Sequence, residues 1–413
     1  MQVIVRGALL MDPITHAIAG ALVGKAFFAG RGDEPRATNA TIGPASEGAG
    51  YNSTAGRVAI WATVLGGIFP DIDSALGLFD ANGMAVISTH RGVTHSFLCM
   101  PLWALALAAL TRWFCRREIA CPSFAALTGI YAAGIALHIS LDLITSFGTM
   151  IWSPLSAARI SWDFVFIIDF AVTTVVLLPQ VAAWVHRERI TQPLRTLFAW
   201  GFFTLGAFAV RELARALRLP MSRWLAPVAA LIFAALFFLP LLGGWGNRMP
   251  RRAWCRAGVL ALAAYLGACF FAHRAALGLV REFATRESVR VDAIAAIPLP
   301  PSLLSWSGLI RTPDGVYYAA IELFAVRGPK FGFSSDAADN PYIAAARRLP
   351  EAQTYFRFAR FPVVRYTERS GVNVVEFSDM RFFSRVRGAP QPFTYRVTFN
   401  AAGGVMSSGW ALD

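Results

Sequence analysis

Four short stretches of the chain carry residues that could bind a metal ion. MDPITHAIAG (residues 11–20) sets Asp12 and His16 one helical turn apart at the entrance of an apolar segment, and FPDIDSALG (69–77) supplies Asp71 and Asp73. THRGVTHSF (89–97) holds His90, Arg91 and His95, and ALHISLDLITSFGT (136–149) holds His138 and Asp142. Imidazole and carboxylate suit zinc, with iron or manganese as alternatives. His138 and Asp142, at i and i+4, share one helix face and can reach one ion or an adjacent pair. Four of the six histidines belong to this set; His186 and His273 lie outside it and read as loop and helix-packing residues. Asp163 and Asp169 follow in the chain, Asp169 as either a ligand or a partner of Arg159. None of the five cysteines forms a CxxC pair, so neither a disulfide framework nor a cysteine-based zinc site is indicated.

The elements that must position these residues are membrane helices. The 413 residues are 56% hydrophobic and 15% charged, with a mean hydropathy of +0.50. Apolar runs lie near 14–30, 57–79, 96–114, 123–147, 163–185, 196–213, 223–243 and 254–280. Since roughly 20 apolar residues cross a hydrocarbon core, the expected fold class is an α-helical polytopic membrane protein of about eight spans. The 57–79 run is the weakest, because Pro70, Asp71 and Asp73 interrupt it. A polar, Gly/Ala/Ser/Thr-rich linker, 31–57, separates the first two runs. After about residue 281, GVYYAAIELFAV, TYFRFARFPVVRYTE, GVNVVEFSDMRFF and FTYRVTFNAAGGVMSS alternate β-branched or aromatic with polar residues. That pattern predicts antiparallel strands, hence a transmembrane helical domain over 11–280 and a soluble β-rich domain over 281–413. The motif-free run before Met11 suggests Met11 as the functional start.

The formal net charge is +13. Alternating the spans collects the arginine-rich loops 31–57, 112–122, 186–195 and 244–256 on one side, against a contrary cluster of Arg211, Arg215, Arg218 and Arg223. The positive-inside rule makes the first side cytoplasmic. The charge is thereby accounted for without a nucleic-acid partner, and none is expected. All four motifs, the N-terminus and the β-domain then share the outer, periplasmic face of a bacterial inner membrane. His138 and Asp142 would sit roughly 8–14 Å below a boundary near Phe147 at 1.5 Å rise per residue. An uncompensated carboxylate at that depth costs several kcal/mol. Taken alone, HxxxD is most often a hydrogen-bonded pair, PDID a helix stop and HRGVTHS a polar loop. Their convergence on one face points instead to a metal site of His16, Asp73, His90, His95, His138 and Asp142. Asp71 or Asp73, whichever is not a ligand, is then the candidate general base, and Arg91 a clamp for a phosphate oxygen.

MDPITHAIAG, FPDIDSALG, HRGVTHS and LHISLDLITSFGTMIWSPLS also resemble the YdjM-like inner-membrane proteins, a family described as metal-dependent hydrolases, over roughly residues 11–175. The ligand order His, Asp, His, HxxxD is similar to zinc-dependent phospholipase C and P1-type nucleases, although the chain lacks their further His and HxxxE. Carried over by position, the resemblance implies His16, Asp73, one of His90 or His95, His138 and Asp142 as ligands of one or two divalent cations, zinc foremost. The combined expectation is a membrane-embedded hydrolase of phosphoesters in lipids or lipid-linked compounds. The alternative is a membrane binding or regulatory protein with a structural metal.

Overall fold

The computed structural model describes residues 2–29, 53–80, 83–116, 118, 121–216, 222–300, 302–382 and 391–411, with side chains from Pro13 onward except at 76–79. Asp12, the suggested start at Met11 and most of the 31–57 linker lie outside the described residues and side chains.

The helical part comprises α1 (Gln2–Val23), continued by a π-helical turn Gly24–Phe28, and α2 (Thr54–Ile68), continued by a 3-10 stretch Phe69–Phe79. A short α3 (Ala85–Ser88) precedes α4 (Met100–Phe114) and α5 (Phe124–Leu143). Then follow α6 (Phe170–Val185), α7 (Gln192–Ala216), α8 (Leu225–Leu242) and α9 (Arg251–Arg286). Among the described residues, five helices are long and apolar enough to cross a bilayer: Thr54–Ala75, Phe124–Leu143, Gln192–Ala216, Leu225–Leu242 and Arg251–Arg286. A sixth results if Ala85–His95 and Met100–Phe114, bent by 73°, count as one broken span. Of the eight expected runs, the first and fifth contribute the shorter apolar helical stretches Pro13–Phe28 and Phe170–Val185, the first of them the end of a helix that begins at Gln2. The weak 57–79 run is among those long and apolar enough to cross, since Asp71 and Asp73 fall in its terminal 3-10 turns rather than at its centre.

Small residues bring α1, α2 and α5 into backbone contact. A Cβ on Gly20 would lie 2.6 Å from Thr63 O, one on Gly67 2.9 Å from His16 O, and one on Gly134 2.8 Å from Thr63 O. Lipid is as apolar as leucine, so close backbone packing of this kind is a main source of helix association in a membrane. It is also what draws the His16, Asp71 and His138 helices together.

The long helix α9 has 36 residues. At 1.5 Å per residue it is about 54 Å long, well beyond a core of about 30 Å. Its last turns carry an antiparallel sheet of β1 (Ala293–Leu299), β2 (Ser305–Thr312), β3 (Gly315–Glu322) and β4 (Phe331–Ser335), paired in chain order. Leu277, Val280 and Ala284 of α9 share one buried cluster with Trp306, Ile310 and Ile321, so the sheet extends the helical core.

Two short helices, α10 (Pro341–Arg347) and α11 (Pro350–Phe358), lead to a second antiparallel sheet. The expected TYFRFARFPVVRYTE strand is thus helical over 354–358, where Pro350 opens a helix that buries Ala352, Tyr355 and Phe358 at helical spacing, and extended only from Pro362. Its strands β5 (Pro362–Arg369), β6 (Val372–Asp379), β7 (Thr394–Phe399) and β8 (Val405–Trp410) also pair in order. Ser370 and Gly371, both at positive φ between the paired Arg369 and Val372, make the two-residue turn whose twist suits a hairpin. Tyr355, Phe358, Phe377, Tyr395 and Phe399 form its core together with Ile87 of α3 and Phe147 of the loop after α5.

Candidate metal centre

Four separate segments deliver the centre. His16 comes from α1, Asp71 and Asp73 from the 3-10 stretch after α2, His95 from a 3-10 turn Val93–His95, and His138 and Asp142 from the last turns of α5. His95 and His138 are fully buried, with Asp142 1% and His16 3% exposed.

The tautomers follow from the hydrogen bonds. His138 Nδ1 lies 2.7 Å from Gly67 O, which can only accept, so Nδ1 carries the proton. His95 Nδ1 faces Thr94 Oγ1 at 3.0 Å and Asp73 Oδ2 at 3.2 Å, and the Thr94 hydroxyl donates to that carboxylate at 2.8 Å. Nδ1 of His95 is therefore the donor as well. The two Nε2 atoms are left facing each other at 3.1 Å. Two lone pairs opposed at that distance repel unless a cation lies between them or one ring takes up a proton.

The surrounding oxygens complete a donor set. Asp71 Oδ1 lies 3.5 Å from Nε2 of both His95 and His138, and Asp142 Oδ2 lies 3.3 and 3.5 Å from the same two atoms. Donors at 2.0–2.2 Å from a tetrahedral zinc are about 3.3–3.6 Å apart, which matches these spacings. His16 Nε2 is 3.4 Å from Asp142 Oδ1, and its ring stacks on His138 with centroids 3.8 Å apart. Two groups have donor atoms close enough to hold an ion, His16–Asp71–His138 and His95–His138–Asp142, both within 4.8 Å. They share His138, whose Nε2 has one lone pair, so they describe one ion position or two alternatives. Asp71 Oδ2 is buried without a hydrogen-bond partner among the described residues. The residues present therefore fit a divalent cation.

The other expected site residues take different places. Asp73, expected as a ligand, is fully engaged around the centre. Its Oδ1 meets His90 Nδ1 at 2.7 Å, and its Oδ2 accepts from the Arg91 backbone at 3.1 Å and from Thr94 and faces His95. Asp71, the candidate base, is the aspartate that points among the histidine nitrogens. His90 is held by Asp73, with Ser74 Oγ 3.3 Å from the same Nδ1, and belongs to neither donor group.

Arg91, expected to clamp phosphate, has its guanidinium committed. It pairs with Asp142 Oδ1 at 2.8 Å and donates to Thr145 Oγ1 at 2.8 Å. Its φ of +61° is uncommon for a residue with a Cβ, and its backbone is pinned on both sides by Asp73 and by Met150 N. Asp169 neither joins the centre nor meets Arg159. It caps α6 through Ala171 N at 2.8 Å and accepts from Tyr265 OH at 2.9 Å and from Ser302 Oγ. Asp163 pairs with Arg360 at 2.8 Å. Arg159 donates to the carbonyls of Ile87, His90 and Gly148, and burial pushes its pKa down to about 9, with Arg91 and Arg381 adding repulsion.

Sequence reasoning missed the Gly67 carbonyl, Thr94 and Thr145. The Gly66–Gly67 pair just before FPDID was the available signal, because adjacent glycines in an apolar helix mark close approach.

Residues 11–216, most of the helical part, match the family described as YdjM inner membrane protein. An uncharacterized protein of Bacillus subtilis, YfhP, is 27% identical over 146 residues. That stretch is 35% of this chain and 38% of YfhP, well short of the relative's full length. No solved structure matches.

Proposed function

We propose that the protein is a membrane-embedded, metal-dependent hydrolase of phosphoesters in lipids or lipid-linked compounds. The observation that carries this reading is the pair of facing Nε2 atoms of His95 and His138, 3.1 Å apart, bracketed by Asp71 and Asp142. His16, Asp71, His95, His138 and Asp142 would hold one divalent cation, zinc by donor type. Bound there, such a cation supplies Lewis-acid chemistry, activating a water nucleophile and polarising a phosphoryl group.

The chain's own residues do the rest. Asp73 orients His90 and His95, as a carboxylate behind a ligating imidazole does. Asp71 Oδ2, lacking another partner among the described residues, is the atom we assign to take the proton from water. Arg91 offsets the charge of Asp142, so phosphate must be met by another cation. Because the donors lie at the ends of the Thr54–Ala75 and Phe124–Leu143 helices, a substrate headgroup at the interface could reach them while its tails stay in lipid. We further assign eight spans, a bacterial inner-membrane location with the centre on the periplasmic face, and two working units, 11–280 and 281–413.

One observation favours a second reading. Five protein donors in a buried centre resemble a saturated structural site, whereas catalytic zinc keeps an open position. Metal analysis of the purified protein, then a phospholipid and phosphodiester hydrolysis screen with and without chelator, separates the two. Stoichiometric metal with chelator-sensitive turnover is expected for the hydrolase. Metal without turnover on any phosphoester would leave the structural reading, and no metal would defeat both.

A further inference from the structure

The second sheet reaches into the loops that build the metal centre. Arg381 is 5% exposed and donates from Nη1 to Ser146 O at 2.9 Å and from Nη2 to Phe358 O at 2.8 Å. Asp379 Oδ2 neutralises it at 2.8 Å, and its guanidinium lies 4.7 and 5.0 Å from the rings of Phe358 and Phe382. The same carboxylate group accepts from the backbone of Arg360 and Arg381, so the arginine is fixed from both sides. Ser146 is four residues beyond Asp142.

Between them stands Thr145, whose hydroxyl donates to Asp142 O at 2.8 Å and accepts from Arg91 Nη1 at 2.8 Å. Phe147 follows, its ring 5.1 Å below the Arg91 guanidinium and 5.0 Å from Phe358, with Phe382 and Phe393 at 6.5 and 6.2 Å. Two more tethers hold neighbouring loops. Trp410 Nε1 donates to Gly83 O at 3.0 Å, and Arg360 Nη1 bonds Ser161 Oγ at 2.7 Å besides pairing with Asp163.

We propose that the C-terminal sheet is an outer shell of the metal centre, with Arg381 a positioning residue that sets Arg91 against Asp142 through the Ser146–Phe147 turn. This rests on the metal reading above. A residue far along the chain thus governs a ligand it does not touch, and loops that would otherwise be free at the membrane surface are held in one arrangement. By linkage, the coupling is reciprocal: metal binding tightens the docked sheet as much as docking tightens metal binding.

The test uses the full-length protein in detergent, with Co²⁺ as the probe. Arg381→Lys keeps the charge opposite Asp379 but loses the planar fork, and should weaken Co²⁺ binding about 10- to 100-fold and shift its visible absorption band. Phe147→Leu should do likewise. In the wild-type protein, which escapes any folding defect of the variants, Co²⁺ should slow amide hydrogen exchange in residues 358–382. Unchanged affinity and spectrum in both variants, or exchange in 358–382 indifferent to Co²⁺, would overturn the tether while leaving the metal site standing. A wild-type protein that takes up no Co²⁺ would overturn the metal reading itself, and this inference with it.

Discussion

Two buried histidine clusters lie at opposite ends of the helical region, and only one has the makings of a metal site. In the first, the Nε2 atoms of His95 and His138 face each other with Asp71 and Asp142 alongside. In the second, His186 Nδ1 is 2.6 Å from Gln192 Nε2, and Gln192 Oε1 accepts from Asn247 at 2.7 Å. The His186 ring stacks on Trp254, with centroids 5.4 Å apart. No carboxylate pairs with it among the described residues. Burial lowers the His186 pKa and keeps it neutral. Burial of a histidine is common to both and so decides nothing. What separates them is charge: carboxylates converging on opposed lone pairs call for a cation, whereas an amide and an indole leave a neutral ring satisfied.

The sharpest way to break that contrast is to remove one histidine from each cluster. His138→Ala should abolish metal retention, measured as metal per protein after purification, because it removes the nitrogen common to both donor groups. His186→Ala should retain metal at the wild-type ratio. Equal retention in both variants would mean that the first cluster is a hydrogen-bonded network like the second.

A smaller effect sharpens the roles within the first cluster. Asp73→Asn keeps the shape but weakens the hold on His95 and His90, and should cost about 10- to 100-fold in metal affinity, as outer partners do. Complete loss in a competition titration would make Asp73 a ligand.

The smallest effect belongs to His186. Its pKa in the folded state is lowered, so the unfolded chain binds more protons in acid and stability rises with pH. That contribution is full above the unfolded value of about 6.5 and is lost as pH falls through the interval below it. His186→Gln should flatten the acid side of the stability profile by at most about 1.4 kcal/mol per pH unit. Equal acid slopes in wild type and variant, by thermal unfolding between pH 7 and about pH 5, would show that His186 is not held neutral by its surroundings.

Much of this was legible in the chain. Hydropathy located the apolar helices, and period-two alternation located β3, β5, β6, β7 and β8. The motifs named the residues of the centre, because a polar side chain in an apolar run has few reasons to be there. Composition could not show that the fifth apolar run forms a helix of only 16 residues, Phe170–Val185, or that 354–358, which alternates like a strand, is helical. It also left open how the two aspartates of FPDID divide their work. They are two residues apart and chemically alike; only the 3-10 turn after Phe69 aims Asp71 at the histidine nitrogens and Asp73 at their far sides.

The sequence by itself determined which groups can ionise, which segments prefer lipid and which elements repeat every two or every 3.6 residues, since those are properties of side chains and local backbone. Tertiary structure alone decided that Gly20, Gly67 and Gly134 let three helices touch, that Arg91 is occupied by Asp142, and that Arg381 reaches Ser146. Each of those depends on distances between segments far apart in the chain. A lone pair or guanidinium acquires its role only from what packing places within about 3 Å of it.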